Sequence, residues 1–346
     1  LRQQRYRKAV ELGLVPKDSP LVDMATTAEW DKLSADQKKY QAKRMAVYAA
    51  MVEAMDFHIG RLITHLKNIG EYENTIFIFT SDNGPEPSGP ANPDTAITRF
   101  VLGAQDYRND YETLGLKGSF NSIGPSFASA AASPLSYYKF YSGEGGMRVP
   151  LIIAGETLQS TITTTDAFSF ATDIAPTILE LAGVSAPQER FGTIHYGGRE
   201  IEPMIGSSLV PLIAGDAARV HSADKSTGYE LGGNSALFQG DYKIVLNRGP
   251  VGDGLWHLYN LANDPGEVRD LSQQEPERFQ SMLNAYNTYT KANGVLPVPQ
   301  GFNAQRQVAL NGLRAQAGPA ILIGILLLLI ITPFILYARA NRRRKN

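Results

Sequence analysis

Cysteine is absent from the 346 residues. That excludes disulfides, zinc–thiolate sites, iron–sulfur clusters and a catalytic thiol within the chain. Tryptophan is scarce at two residues, and histidine at five. Charge of one sign is also missing, with 33 Lys+Arg against 34 Asp+Glu. Five of the basic residues (Arg339, Arg342, Arg343, Arg344 and Lys345) lie beyond residue 318, where there is no acid. The body is left with 28 basic against 34 acidic residues. It is a poor candidate for nucleic-acid binding, because phosphate contacts need a basic face. No internal repeat and no glycine period is present. With 43% hydrophobic residues, disorder and collagen-like structure are excluded as well. The length suits one large or two ordinary domains.

What is there begins with the two ends. The chain opens on Leu1 with RQQRYRKAVELGL and has no signal-peptide pattern. A portion preceding Leu1 is therefore expected. At the other end, Ala320 to Ala338 reads AILIGILLLLIITPFILYA, without charge, and RANRRRK follows. This run predicts a membrane-spanning helix over 319–338, with a cytoplasmic basic tail at 339–346 and the body outside the cytoplasm.

Between the ends, helices are expected over 1–13 and 35–69. In the second, Met45, Tyr48, Val52, Met55, Ile59, Leu62, Ile63 and Leu66 recur at spacings of three and four. The apolar runs Thr75–Thr80 and Val149–Ala154 read as strands buried on both faces of a parallel sheet. Residues 84–136, rich in Gly, Pro, Ser and Ala, read as a long loop with short helices. A short helix is expected from Asp173 to Ala182, a hairpin over 235–246 turning at Gly240-Asp241, a strand at 256–261, and a last amphipathic helix from Pro276 to Ala292. Helix, turn and buried strand in succession make an α/β fold.

The strand ending at Thr80 runs into Ser81-Asp82-Asn83-Gly84. In open α/β sheets, ligands collect at the carboxyl ends of strands. Asp82 and Asn83 offer a carboxylate and an amide oxygen side by side, the donors that hard cations such as Ca2+ or Mg2+ take. An ordinary Asx turn has the same sequence, so this motif alone leaves both readings open. Downstream stands Ser133-Pro-Leu-Ser-Tyr-Tyr-Lys139-Phe-Tyr-Ser-Gly-Glu144-Gly-Gly-Met-Arg148-Val-Pro150. The five histidines are weak signals. His58 and His65 lie on the long helix, His195 in a Gly-Gly loop and His257 in an expected strand, while His221 lies in a loop near a possible pocket.

Strand–DNG, a long loop and K-x4-EGG-x-RVP together resemble the type I sulfatases of the alkaline-phosphatase superfamily, in particular the bacterial arylsulfatases. The stretches YAAMVEAMDFHIGRLITHLKNIGEYENTIFIFTSDNGPE, DIAPTILELAGV, GYELGGNSALFQGDYKIV and LYNLANDPGEVRDLS extend the resemblance over residues 1 to about 297. It implies an alkaline-phosphatase-like α/β fold, a mixed sheet sandwiched by helices and incomplete at its N-terminal side. Residues 1–184 are expected as the later portion of the catalytic domain and 185–300 as a smaller α+β subdomain with an antiparallel sheet. A linker at 301–318 leads to the apolar run.

The resemblance also implies roles. Asp82 and Asn83 are expected as ligands of a divalent cation, with Ca2+ the expected ion, and Lys139 as the lysine that contacts the sulfate and the ester's bridging oxygen. Glu144, Gly145, Gly146 and Arg148 are expected as scaffold, with a Glu144–Arg148 pair fixing the turn. The family's nucleophile is a formylglycine made from Cys or Ser in C/S-x-P-x-R. No such motif occurs in the chain, and Ser185-Ala-Pro187-Gln-Glu189 has Glu where Arg is needed. The nucleophile is expected in the portion before Leu1, so this chain alone is expected to be inactive. The partners implied are a sulfate ester and, through the terminal run, a membrane, with no nucleic acid. A related phosphodiesterase or phosphonate hydrolase, and a non-catalytic membrane-anchored binding protein, are the alternatives.

Overall fold

The computed structural model describes the chain except residues 23, 25–26, 28, 89–101, 159, 161, 185–193, 300, 305, 309, 313, 315–323 and 335–346. Helix α1 (Arg2–Glu11) lies against α3 (Gly124–Ala132), where the Arg2 guanidinium donates to the Ser129 hydroxyl at 2.6 Å. Between them in sequence runs the long helix α2 (Ala35–Asn68), which starts at a reciprocal cap. The Ser34 hydroxyl accepts from the Gln37 amide, and the Gln37 side chain accepts from the Ser34 amide. The first half of α2 is anchored by Arg44, only 2% exposed, whose guanidinium donates to Gln41 and to the Ser122 hydroxyl. Met45 and Tyr48 pack on the cluster formed by Val22, Met24, Ile123, Ala128, Tyr138 and Tyr141. Farther along the same stripe, Val52, Met55 and Leu62 are exposed.

Strands β1 (Phe77–Thr80) and β2 (Leu151–Ala154) pair antiparallel, with Thr80 opposite Leu151 and Phe77 opposite Ala154. This corrects the expectation of a buried parallel sheet. The chain leaving β1 is tied at Gly84 to the chain entering β2 at Gly146, so β2 starts beside the end of β1. Phe79 and Ile152 are exposed. The short helix α4 (Glu144–Met147) precedes β2, and α5 (Ile174–Leu181) follows it. Next come the hairpin of β3 (Ile194–Tyr196) and β4 (Arg199–Ile201), and then α6 (Val210–Ala214).

The best-buried part is a four-stranded antiparallel meander. Its strands are β5 (Ser226–Leu231), β6 (Asn234–Gln239), β7 (Tyr242–Leu246) and β8 (Trp256–Asn260). Alternation along the strands gives it two faces. Leu237, Ile244 and Leu258 pack on Met282 and Tyr286 of the last helix, α7 (Pro276–Ala292). Ala236, Phe238, Val245 and Tyr259 face the other way, toward Met147 and Phe168. Trp256 packs edge-on against Tyr286, with 4.8 Å between ring centroids.

On the edge strand β8, the two ring nitrogens of His257 lie 2.8 Å from Asp270 and 2.9 Å from Asp253. Burial by itself pushes the imidazole down, but the hydrogen bonds to Asp270 and Asp253 outweigh it and hold His257 above its usual value. A raised folded-state value stabilises the fold fully below the unfolded histidine's value of about 6.5, and that stabilisation fades as pH climbs through the folded value. The Tm deficit of His257→Gln should therefore be larger at pH 6 than at pH 9. Equal deficits at both would show that the imidazolium contributes nothing.

The expected membrane span is corrected. Among the described residues no helix is long and apolar enough to cross a membrane. The helical part described runs from 324 to 334. The outward-facing, single-pass arrangement inferred from that run is withdrawn with it. Residues 319–323 and 335–338 of the expected span, and the basic tail 339–346, lie outside the described residues.

Candidate active site

The DNG turn is built by close backbone approach. The Gly84 amide donates to the Gly146 carbonyl at 2.8 Å. A Cβ on Gly84 would stand 1.9 Å from the Gly145 carbonyl oxygen, so any other residue would force the turn and α4 apart. The Ser81 hydroxyl donates to the Asn83 carbonyl at 2.8 Å and tightens the loop. The side-chain oxygens of Asp82 and Asn83 accept no hydrogen bond from any described side chain or amide. Asp82 is exposed and Asn83 half-buried.

Lys139 comes to the same place from the segment before α4. Its amide donates to the Pro85 carbonyl at 3.2 Å, and its ammonium lies 2.7 Å from Glu86. Its neighbours Tyr137 and Phe140 have φ of 64° and 82°, left-handed conformations that side chains rarely adopt. Such strain persists only where surrounding structure holds it. The hydrogen bond with Glu86 pushes the Lys139 ammonium up, with a further contribution from the charge of Asp82. Burial pushes the Glu86 carboxyl up, but hydrogen bonds from Lys139 and Ser88 outweigh it and hold Glu86 below the usual carboxylate range. Lys139 thus stays an ammonium at neutral pH, beside a carboxylate that is ionised.

One carboxylate and one amide oxygen, neither committed to a described partner, fit a hard divalent cation as part of its shell. Such an ion takes six to eight oxygens. Among the described residues, no group of three or more His, Asp or Glu is placed to hold a metal.

Glu144 is not paired with Arg148 as expected. Its carboxylate accepts from Lys243 of β7 at 2.8 Å, and Lys243 also lies 2.8 Å from Glu267. Sequence reasoning missed Lys243, Glu267 and Glu86. All three lie within stretches that carry the family resemblance, but no residue pattern there sets them apart as partners of one another.

The histidines stay apart from this site. His58 and His65 are exposed on α2, and His195 is exposed on β3. His221 borders a small cavity with Phe168, Arg219 and Lys225. Its ring nitrogens are 2.8 Å from Asp173 and 2.9 Å from Lys225, so it ties the start of α5 to the segment before β5.

A sequence model of the Sulfatase family matches residues 21–184. A sulfatase of Schizosaccharomyces pombe, described as uncharacterized, is 35% identical over 308 residues, which are 88% of this chain and 54% of that protein. An arylsulfatase of Klebsiella aerogenes is 35% identical over 211 residues, 60% of this chain and 43% of that enzyme. An N-acetylglucosamine-6-O-sulfatase of Bacteroides thetaiotaomicron is 25% identical over 234 residues, covering 67% of this chain and 32% of its own length. The chain thus spans about half the length, or less, of the curated relatives it matches.

Proposed function

We propose, for a chain whose residues 21–184 match a model of the sulfatase family, that it forms part of a hydrolase of sulfate monoesters. In this reading Lys139 meets the sulfate, and Asp82 and Asn83 hold a divalent cation, taken as Ca2+. The observation that carries the reading is the convergence of Lys139 on the DNG turn, its amide donating to the Pro85 carbonyl directly after Gly84 at 3.2 Å. A bound cation would supply polarisation of the sulfate oxygens.

The chain's own residues do the rest. An ammonium pushed above its usual value does not serve as a base. It donates hydrogen bonds toward the ester's bridging oxygen, where negative charge grows as the S–O bond breaks. Glu86 holds the ammonium in place until the sulfate competes for it. Gly84 and Gly146 fix the distance between the cation-binding turn and the lysine segment. The group that attacks sulfur, taken from the family resemblance as formylglycine, is not among these 346 residues, since no C/S-x-P-x-R motif occurs in them.

The test is hydrolysis of 4-nitrophenyl sulfate by the full-length protein, before and after chelation. Turnover should be lost with the chelator and return with added Ca2+, while the 346-residue chain alone gives none. No hydrolysis by the full-length protein, or turnover indifferent to chelation, would overturn the reading.

A further inference from the structure

The segment that carries Lys139 is held from one side by side chains of the C-terminal meander and the turn after it. The Ser142 amide donates to Asn247 at 2.7 Å, and the Asn234 amide group donates to the Phe140 carbonyl at 2.7 Å. The Ser136 hydroxyl and the Glu144 amide both donate to one oxygen of Glu267. At the centre lies the Lys243 ammonium, between Glu144 and Glu267 at 2.8 Å each. Lys243 is 0% exposed, Glu144 4% and Glu267 9%. The ammonium also sits 5.0 Å from the centre of the Phe238 ring.

Stability does not explain this cluster. A buried ion pair is commonly matched or bettered by apolar side chains of the same volume. What charge-assisted hydrogen bonds add is direction. Three residues around them, Tyr137, Phe140 and Glu267, have left-handed φ values, so the backbone is held against its preference. Glu144 opens α4, whose Gly146 carbonyl receives the Gly84 amide of the DNG turn.

We propose that Lys243 is a positioning residue, which through Glu144 and Glu267 sets the placement of Lys139 relative to the Asp82–Asn83 turn. This rests on the reading of Lys139 as the sulfate-contacting group. Lys243 touches no substrate itself. It acts through the two carboxylates it pairs with, and its removal changes where Lys139 stands rather than what Lys139 is.

The experiment uses Glu144→Gln in the full-length protein. This change keeps the side-chain volume and leaves Lys243 paired with Glu267, so the fold is retained. Lys243→Met is the companion variant, and it leaves two buried carboxylates without their cation. If it fails to fold, Glu144→Gln alone decides. With 4-nitrophenyl sulfate, kcat per folded site should fall about ten-fold or more at unchanged KM. In a Lys139→Ala background the same change should cost less than about two-fold, because the lysine it positions is gone. Amide hydrogen exchange supplies an arm independent of activity. Exchange at Gly84, Lys139, Ser142 and Gly145 should rise about ten-fold while β6, β7 and α7 stay protected. An equal kinetic cost in both backgrounds, or unchanged exchange at those amides, overturns the proposal. A wild-type protein inert toward sulfate esters defeats the proposed function instead, and the exchange measurement then decides the anchoring by itself.

Discussion

On the proposed reading, Asp82→Ala should leave the protein folded and nearly without activity toward sulfate esters. The side chain is exposed at the end of β1 and takes no hydrogen bond from a described residue, so its loss disturbs no packing. It is the charged member of the oxygen pair, and a carboxylate binds a hard cation more strongly than the neutral amide beside it. Losing the proposed ion would remove several kcal/mol of charge stabilisation, and turnover should then fall by at least about a hundred-fold. Asn83→Ala should act in the same direction and more mildly. Calcium content by atomic absorption and kcat with 4-nitrophenyl sulfate check both. Unchanged metal content and turnover in purified Asp82→Ala protein would remove the metal assignment.

Lys139→Ala should reduce kcat/KM by about two to three orders of magnitude, on the scale of ~3–4 kcal/mol for one lost oxyanion donor. Cation content should not change, which separates this variant from Asp82→Ala. The fold should survive because the lysine side chain is 34% exposed and its partner Glu86 42% exposed, so Glu86 remains solvated when left alone. Without the ammonium, Glu86 loses one of the hydrogen bonds that hold it low, and its carboxyl should titrate at a higher pH. Near-wild-type turnover, or a protein that no longer folds, would refute the catalytic role.

The long elements were legible in the amino-acid pattern. Helix α2 was expected over 35–69 and runs over Ala35–Asn68, because a 3.6-residue apolar period and a terminal glycine are local signals. Helix α7 begins and ends where Pro276 and Ala292 placed it. The β6–β7 hairpin was legible from its glycine turn. Strand direction was not. Phe77–Thr80 and Leu151–Ala154 are short apolar runs, and such runs look alike in parallel and antiparallel pairs. The antiparallel register joins residues far apart in the chain, as does the tie between Gly84 and Gly146 beside it, and neither is a local signal. The apolar run over 320–338 has no counterpart among the described residues, where no helix is long and apolar enough to cross a membrane. At the candidate site, Asp82, Asn83 and Lys139 stood out through motifs and a resemblance. Lys243 did not, because a lysine in a strand ordinarily marks a solvent face. Its burial depends on two carboxylates contributed by other segments.

The wide separation of those partners has a consequence for how the protein is made. Ser136 and Glu267 are 131 positions apart, and Glu144 and Lys243 are 99. At about 5–20 residues per second of synthesis, Lys243 leaves the ribosome roughly 5–20 s after Glu144. During that interval the segment carrying Lys139 lacks its contacts to Lys243, Asn247 and Glu267. Contacts of such long range form late in folding. A nascent chain stopped after β6 would contain Asp82, Asn83 and Lys139 and still lack the Lys243 and Glu267 contacts behind the Lys139 segment.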